Sequence, residues 1–492
     1  MVSATVALVV VAAVLAAFAL VGGWYSRGRV ESIEDFIAAR GSAGTGTLTA
    51  TLVASSMGAW ILFSPAEAGA AFGGITAVVG YALGSAVAMA AYAVVGPRIR
   101  AAVPEGHSLT EYAYVRYGPV FYAYVLVVSV AYMFVFLAAE FTGIASAVST
   151  LAGVPGWQTA TLVGVTVLAY TAYGGLRASM VTDVVQTALL LPLLLVVFVA
   201  TVVAVGGPGE AVRSVNATAP ALLSPTHLPG IEFGVYVVVA VVGAEMLNQS
   251  WWQRVYAARD ERTLARGFGA AALVVFPIVV AVGLFGPIAV GMGLVDGNAS
   301  VSFFLVVQEA LPDVLVLGVV VLAVLLVASS ADTLFNAIAS VVTADLPRLV
   351  DADDARLTLA ARGFTAVVAL AATVVGAQGY SVLTLFLVAD LLAAATFLPL
   401  YHGLFSARAW TGGALAASVA GLAVGAAFFP PARGVLPLAG LPAASFLRSF
   451  VLAAAVSGLG TLFAARLADR RYDLDRLHRD IRTLDADERR AD

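Results

Sequence analysis

Residues 53–74 read VASSMGAWILFSPAEAGAAFGG, an apolar run that carries Ser64, Pro65, Glu67 and the glycines 69, 73 and 74. Proline removes a backbone donor and crowds the preceding turn, and clustered glycines loosen a helix further. The stretch therefore predicts a membrane helix broken near Pro65. Unpaired backbone is tolerated inside hydrocarbon only where it lines a cavity or is covered by protein. A break beside an acid, Glu67, thus predicts a binding site within the membrane. Proline alone would predict only a kink.

Residues 237–254, VVVAVVGAEMLNQSWWQR, repeat the device with Gly243, Glu245, Asn248 and Gln249 amid apolar neighbours. The chain has 492 residues, 61% of them hydrophobic and 11% charged, too apolar for a water-soluble globule. Windows of roughly 20 apolar residues give about thirteen membrane spans, and the two interrupted ones are the second and seventh. Breaks five spans apart predict an all-α integral membrane protein with a 5+5 inverted-repeat core, its first and sixth core helices broken. The expected layout is an anchor helix and first loop (1–45), a transport core (46–406), two peripheral helices (407–467) and a charged tail (468–492).

All 26 basic residues are arginine, and they segregate. With the N-terminus outside, most fall inside, among them Arg40, Arg98, Arg116, Arg254 and Arg408; only Arg213, Arg433 and Arg448 fall outside. The expectation is a multi-pass cell-membrane protein with a cytoplasmic C-terminus. Without cysteine there is no disulfide or thiolate site, and four scattered histidines make metal chemistry improbable. No enzyme motif, cofactor site or nucleic-acid-binding pattern is present.

Residues 324–348, VLLVASSADTLFNAIASVVTADLPR, carry a polar stripe through another apolar span. At 100° per residue Ser329, Asp332, Thr333, Asn336, Ser340 and Thr343 share one face, opposite Leu334, Phe335, Ile338 and Val341. This predicts a wet side. The Leu326 carbonyl lies one turn before the Ser329 and Ser330 hydroxyls and converges with them. Such uncharged oxygens suit a small monovalent cation. An isolated serine pair would instead bond back to carbonyls or join helices.

Residues 170–187, YTAYGGLRASMVTDVVQT, resemble the signature of the sodium:solute symporters, relatives of bacterial proline, pantothenate and sugar symporters. The serine pair followed by TADL, the NQSWWQR segment and the span layout carry the same likeness. The resemblance implies a leucine-transporter-type fold working by alternating access, with Na⁺ as coupling ion. It implies a sodium site of backbone carbonyls at Ala54 and Met57 with Leu326, Ser329 and Ser330. It further implies that Asp183 lies on the inner sodium route, although an aspartate there would also serve to cap a helix N-terminus.

The family's sugar-binding positions fall at Ala244 and Glu245, which argues against a sugar. Glu67, Glu140, Glu245, Asp332 and Asp390 lie at membrane depth, where the sequence places no neutralising arginine. A buried carboxylate costs several kcal/mol unless protonated, paired or hydrated. Either these groups are held neutral or relay protons, or the missing positive charge arrives with the solute. The second alternative points to a cationic or amide-bearing solute such as a polyamine, urea or an amino acid, with Asn248 as a polar contact and Trp60, Trp251 and Trp252 as candidate stacking surfaces. The expected function is sodium-coupled uptake of such a solute. Rival readings are a proton-coupled symporter of the same fold, a transporter-derived sensor and a passive channel.

Overall fold

The computed structural model describes residues 2–26, 39–349, 354–435, 440–469 and 471–481. The N-terminal Arg27 and Arg29 and the tail from 482 lie outside the described residues, as do the side chains of Thr343 and Asp345. The described chain is helical, with one isolated β-bridge joining Ala43 to Ala258. Ten helices among the described residues have the length and apolar composition to cross a membrane, against the expected thirteen.

The elements that build the site are α1 (Ala4–Ser26), α2 (Thr45–Ser56), α3 (Trp60–Glu67), α4 (Gly74–Ala102), α5 (Leu109–Tyr117), α6 (Pro119–Ala152), α7 (Gly156–Ala204), α8 (Leu228–Leu247), α9 (Gln249–Ala257), α10 (Glu261–Gly283), α11 (Asp313–Leu349), α12 (Asp354–Gly376) and α13 (Val382–Phe405). Two peripheral helices, α14 (Thr411–Phe428) and α15 (Phe446–Arg466), pack on each other and on α13. Three differences account for the expected count. The second and third spans run on through a π-helical turn, Ala68–Gly73, and the tenth lies partly among residues whose side chains are not described. The span expected at 157–174 runs into residues whose side chains are not described, although the backbone of α7 is helical throughout and no loop separates it from the span expected at 181–205. Its Gly174–Gly175 pair comes without a proline to stop the helix.

α11 sits at the centre, packed against α7, α6, α2 and α9, and the window that spans the membrane is 72% buried. α4 is clasped by α8 and α10. Close approach demands small residues here: a side chain at Gly80 would run into the Gly234 backbone, and one at Gly243 into Ala394. Asp260 caps α10 by accepting the Thr263 N–H at 2.7 Å, which holds its carboxyl below the usual range.

Several arginines gather at one end of the bundle. Arg40 donates to Pro104 and Gly106 carbonyls, Arg98 to Leu404, Arg100 to Ala258 and Arg259, and Arg116 to Gly403 and Ser406. The charged tail begins by docking at this same end. Tyr472 donates from its amide to Ala407 and from its hydroxyl to Val115, and the Arg116 guanidinium stacks on its ring at 4.2 Å.

Candidate functional site

The first break lies at Met57–Ala59, between α2 and α3, seven residues before the expected position at Pro65. Pro65 itself stays inside α3, and the irregularity it was expected to cause follows it as the π turn and the left-handed Gly74, φ +63°. The partner that locates the break comes from another helix. Glu140 on α6 accepts the Ala59 N–H at 2.7 Å and so caps α3, while a Cβ at Gly58 would collide with that carboxylate. On the other side, the Trp60 indole donates across the break to the Ser56 carbonyl at 2.8 Å. Glu140 is 1% exposed, and its place is at the break rather than in the cavity.

The second break is at Asn248, between α8 and α9. Asn248 accepts from the Ser250 N–H at 3.0 Å, capping α9, and donates to Glu245 at 2.9 Å. The freed carbonyls of Glu245 and Met246 receive the Tyr92 and Tyr401 hydroxyls. Backbone groups at both breaks are thereby answered by side chains, as a membrane interior favours.

The polar stripe on α11 is a buried seam rather than a wet face. Ser329 donates to Asp183 at 2.6 Å, Thr333 accepts from Arg254 at 3.0 Å, Asn336 donates to Asp332 at 2.9 Å, and Ser340 accepts from Gln249 at 3.3 Å. Thr171 on α7 donates to Asp332 at 2.9 Å, and Thr51 on α2 donates to Asp183. Asp183 lies deep within α7, so the capping role considered for it does not apply. It pairs instead with Arg254 at 3.4 Å, both side chains fully buried. The expectation of no arginine at membrane depth is therefore corrected. Hydropathy ends the seventh span near 256 and leaves Arg254 at its rim, where the sequence does not distinguish a side chain turned to water from one turned inward.

Ser330 donates to the Leu326 carbonyl at 3.0 Å and lies close enough to Glu140 for the two to interact electrostatically. The same carboxylate holds Ala59, so Ser330 lies one side chain away from the break that follows Ala54 and Met57. Helix α2 packs directly on α11, and Ala54, Met57, Leu326 and Ser329 are fully buried. With Ser330, the five would offer three carbonyls and two hydroxyls, the uncharged oxygens that the expected sodium site calls for.

A cavity lies between the two breaks. Its wall includes Ser56, Trp60, Tyr81, Ala244, Glu245, Trp251, Phe386 and Asp390, and no lining residue is basic. Trp60, Glu245 and Asp390 therefore meet, whereas Glu67, Glu140 and Asp332 do not line this space, and Asn248 reaches it only through Glu245. Trp60 stacks on Tyr81 at 5.5 Å. Trp252 is fully buried against Tyr112 and donates to Tyr401 at 2.8 Å, a packing role. Asp390 is 4% exposed, close enough to Glu245 for their charges to interact, and among the described residues its Oδ1 has no hydrogen-bond partner.

Residues 36–421 match the sodium:solute symporter family. The chain belongs to that family. It is a multi-pass solute symporter and not an enzyme. The symporter is 28% identical over 399 residues to the spermidine transporter DUR31 of Candida albicans, a match covering 80% of this chain and 74% of that protein. A probable urea active transporter of Schizosaccharomyces pombe is 24% identical over 247 residues, covering 48% of this chain and 37% of that one. Among solved structures, a Na⁺-coupled sialic acid symporter in a substrate-bound outward-open state superposes with a TM-score of 0.73 at 17% identity, over 94% of this chain and 98% of that one. The symporter thus has the leucine-transporter-type fold.

Four residues of the site escaped sequence reasoning: Thr51, Tyr81, Arg254 and Tyr401. Thr51 lies three residues before Ala54, in the same segment, and could have been found by extending the polar stripe logic to α2. Tyr81 and Tyr401 sit in ordinary apolar spans, and nothing local distinguishes them from packing aromatics.

Proposed function

We propose that the symporter takes up a small amine-bearing cation, driven by sodium, across the cell membrane with its N-terminus outside. The observation that carries this reading is the cavity between the breaks, where Glu245 and Asp390 face aromatic walls with no basic residue to answer them. A solute ammonium would supply the missing charge, and Trp60 and Tyr81 offer π faces for it. The relationship to a protein named as a spermidine transporter supports an amine, and the relationship to one named as a urea transporter keeps an amide within the class. Sodium would bind the oxygens of Ala54, Met57, Leu326, Ser329 and Ser330, and Asp183 would lie beside its inward route. The gathering of arginines at one end of the bundle supports that end as cytoplasmic.

The test is uptake into proteoliposomes of labelled amines, urea, amino acids and carboxylates, with and without an inward sodium gradient. Gradient-driven accumulation of amines is expected. Preferential accumulation of a carboxylate would end the reading. The unpartnered Asp390 favours one rival, proton coupling: replacing external sodium by choline at constant pH would then leave uptake unchanged.

A further inference from the structure

Beyond the cavity wall a further buried acid, Glu67, stands along α3. On α3, Trp60, Ser64 and Glu67 stand at positions i, i+4 and i+7 and share a face. Trp60 lines the cavity; Glu67 lies about 10 Å further along the helix axis. The Glu67 carboxylate accepts from the Ser381 hydroxyl at 3.1 and 3.2 Å. Ser381 caps α13, and Asp390 follows nine residues later, about 13 Å along that helix. Glu67 on α3 and Asp390 on the neighbouring α13 thus stand at opposite ends of a similar interval. Tyr81 lies between, within electrostatic reach of Asp390, Glu67 and Glu245. The aromatic wall continues from Tyr81 to Phe233 at 6.1 Å and on to Phe72.

Neither end is neutralised. Among the described residues no arginine pairs with Glu67, Glu245 or Asp390, and the Asp390 Oδ1, buried in the cavity wall, has no partner. One serine hydroxyl is weak compensation for a carboxylate at the depth of Glu67. A linear polycation answers both ends with one molecule. A triamine whose terminal nitrogens are nine bonds apart spans roughly 11 Å when extended, while 1,4-diaminobutane spans roughly 6 Å.

We propose that Glu67 is a second ammonium subsite, by which the symporter selects linear amines with charges about 10 Å apart over monoamines and short diamines. One ammonium sits against Glu245 and Asp390, the methylenes lie along Trp60 and Tyr81, and the far ammonium takes Glu67 from Ser381. This rests on the amine reading of the cavity.

The test is calorimetric binding of n-butylamine, 1,4-diaminobutane and spermidine to the full purified chain in sodium, for the natural protein and for Glu67→Gln, Glu67→Asp and Glu245→Gln. The natural protein is expected to prefer the triamine over the diamine by about tenfold. Glu67→Gln should erase that preference while leaving the butylamine affinity intact, which also certifies the fold, and Glu67→Asp should restore part of it. Glu245→Gln should weaken all three amines. A triamine preference that survives Glu67→Gln, or an equal loss for all three amines, overturns the subsite while the amine reading stands. No binding of any amine by the natural protein overturns both.

Discussion

At Gly58 a single missing methylene decides where a helix opens. The Glu140 carboxylate occupies the space a Cβ would fill and takes the Ala59 N–H, so the cap and the glycine are one device. Gly58→Ala should therefore displace the carboxylate and destabilise the protein by about 1–2 kcal/mol, the scale of a lost cap. Glu140→Gln keeps an acceptor oxygen and should cost less, since only the charge assistance is lost. Thermal unfolding in detergent orders the two variants, and a Gly58→Ala protein as stable as its parent would refute the device. The neighbouring hydroxyls make a separate case. Ser329 donates to Asp183 and Ser330 to Leu326, yet each oxygen retains lone pairs for an ion. Removing both, Ser329→Ala with Ser330→Ala, should raise the sodium concentration for half-maximal uptake about tenfold or more, each tenfold being 1.4 kcal/mol of lost ion binding. Uptake kinetics indifferent to the double change would dismiss the site.

Among the elements, α9 and α7 are joined to each other by charge and to α11 by hydrogen bonds through Thr333 and Ser329. Arg254 and Asp183 are both fully buried, and Thr51 brings α2 into the same knot. Breaking a buried pair strands its partner, so Arg254→Met or Asp183→Asn alone should cost about 3–5 kcal/mol, whereas the two together should recover most of it. A double-mutant cycle on detergent unfolding measures the difference; simple additivity would mean that the pair does not act as a unit. This knot also marks the limit of what the sequence makes legible. Both breaks, the polar stripe on α11 and the family signature are local patterns and can be read directly. The first break moves from Pro65 to Gly58 because its cause, Glu140, is 81 residues from Ala59 in the chain. Arg254 looks cytoplasmic because hydropathy counts residues along a span and is blind to the turn that follows Asn248. Long-range partners, not helix-forming tendencies, separate expectation from structure.

For the whole molecule, the proposed transport reading requires that access to the cavity between the two broken helices change sides. The chain contains no cysteine, so a single introduced thiol reports accessibility without further alteration. Ala244 lines the cavity beside Glu245, is 2% exposed, and precedes the second break by four residues. In Ala244→Cys protein, a membrane-impermeant maleimide should label from the external face only in the states that open there. Sodium, by filling the oxygens between α2 and α11, should favour those states and speed labelling. A bound amine should then occlude the thiol and slow it. The comparison of four rates, with and without each ligand, carries the argument. Coupling requires that the amine protect more strongly when sodium is present, because two ligands that favour one state assist each other's binding. Equal protection in sodium and choline would mean that the cavity binds its solute independently of the ion, and the sodium-coupled reading would give way to the proton-coupled one.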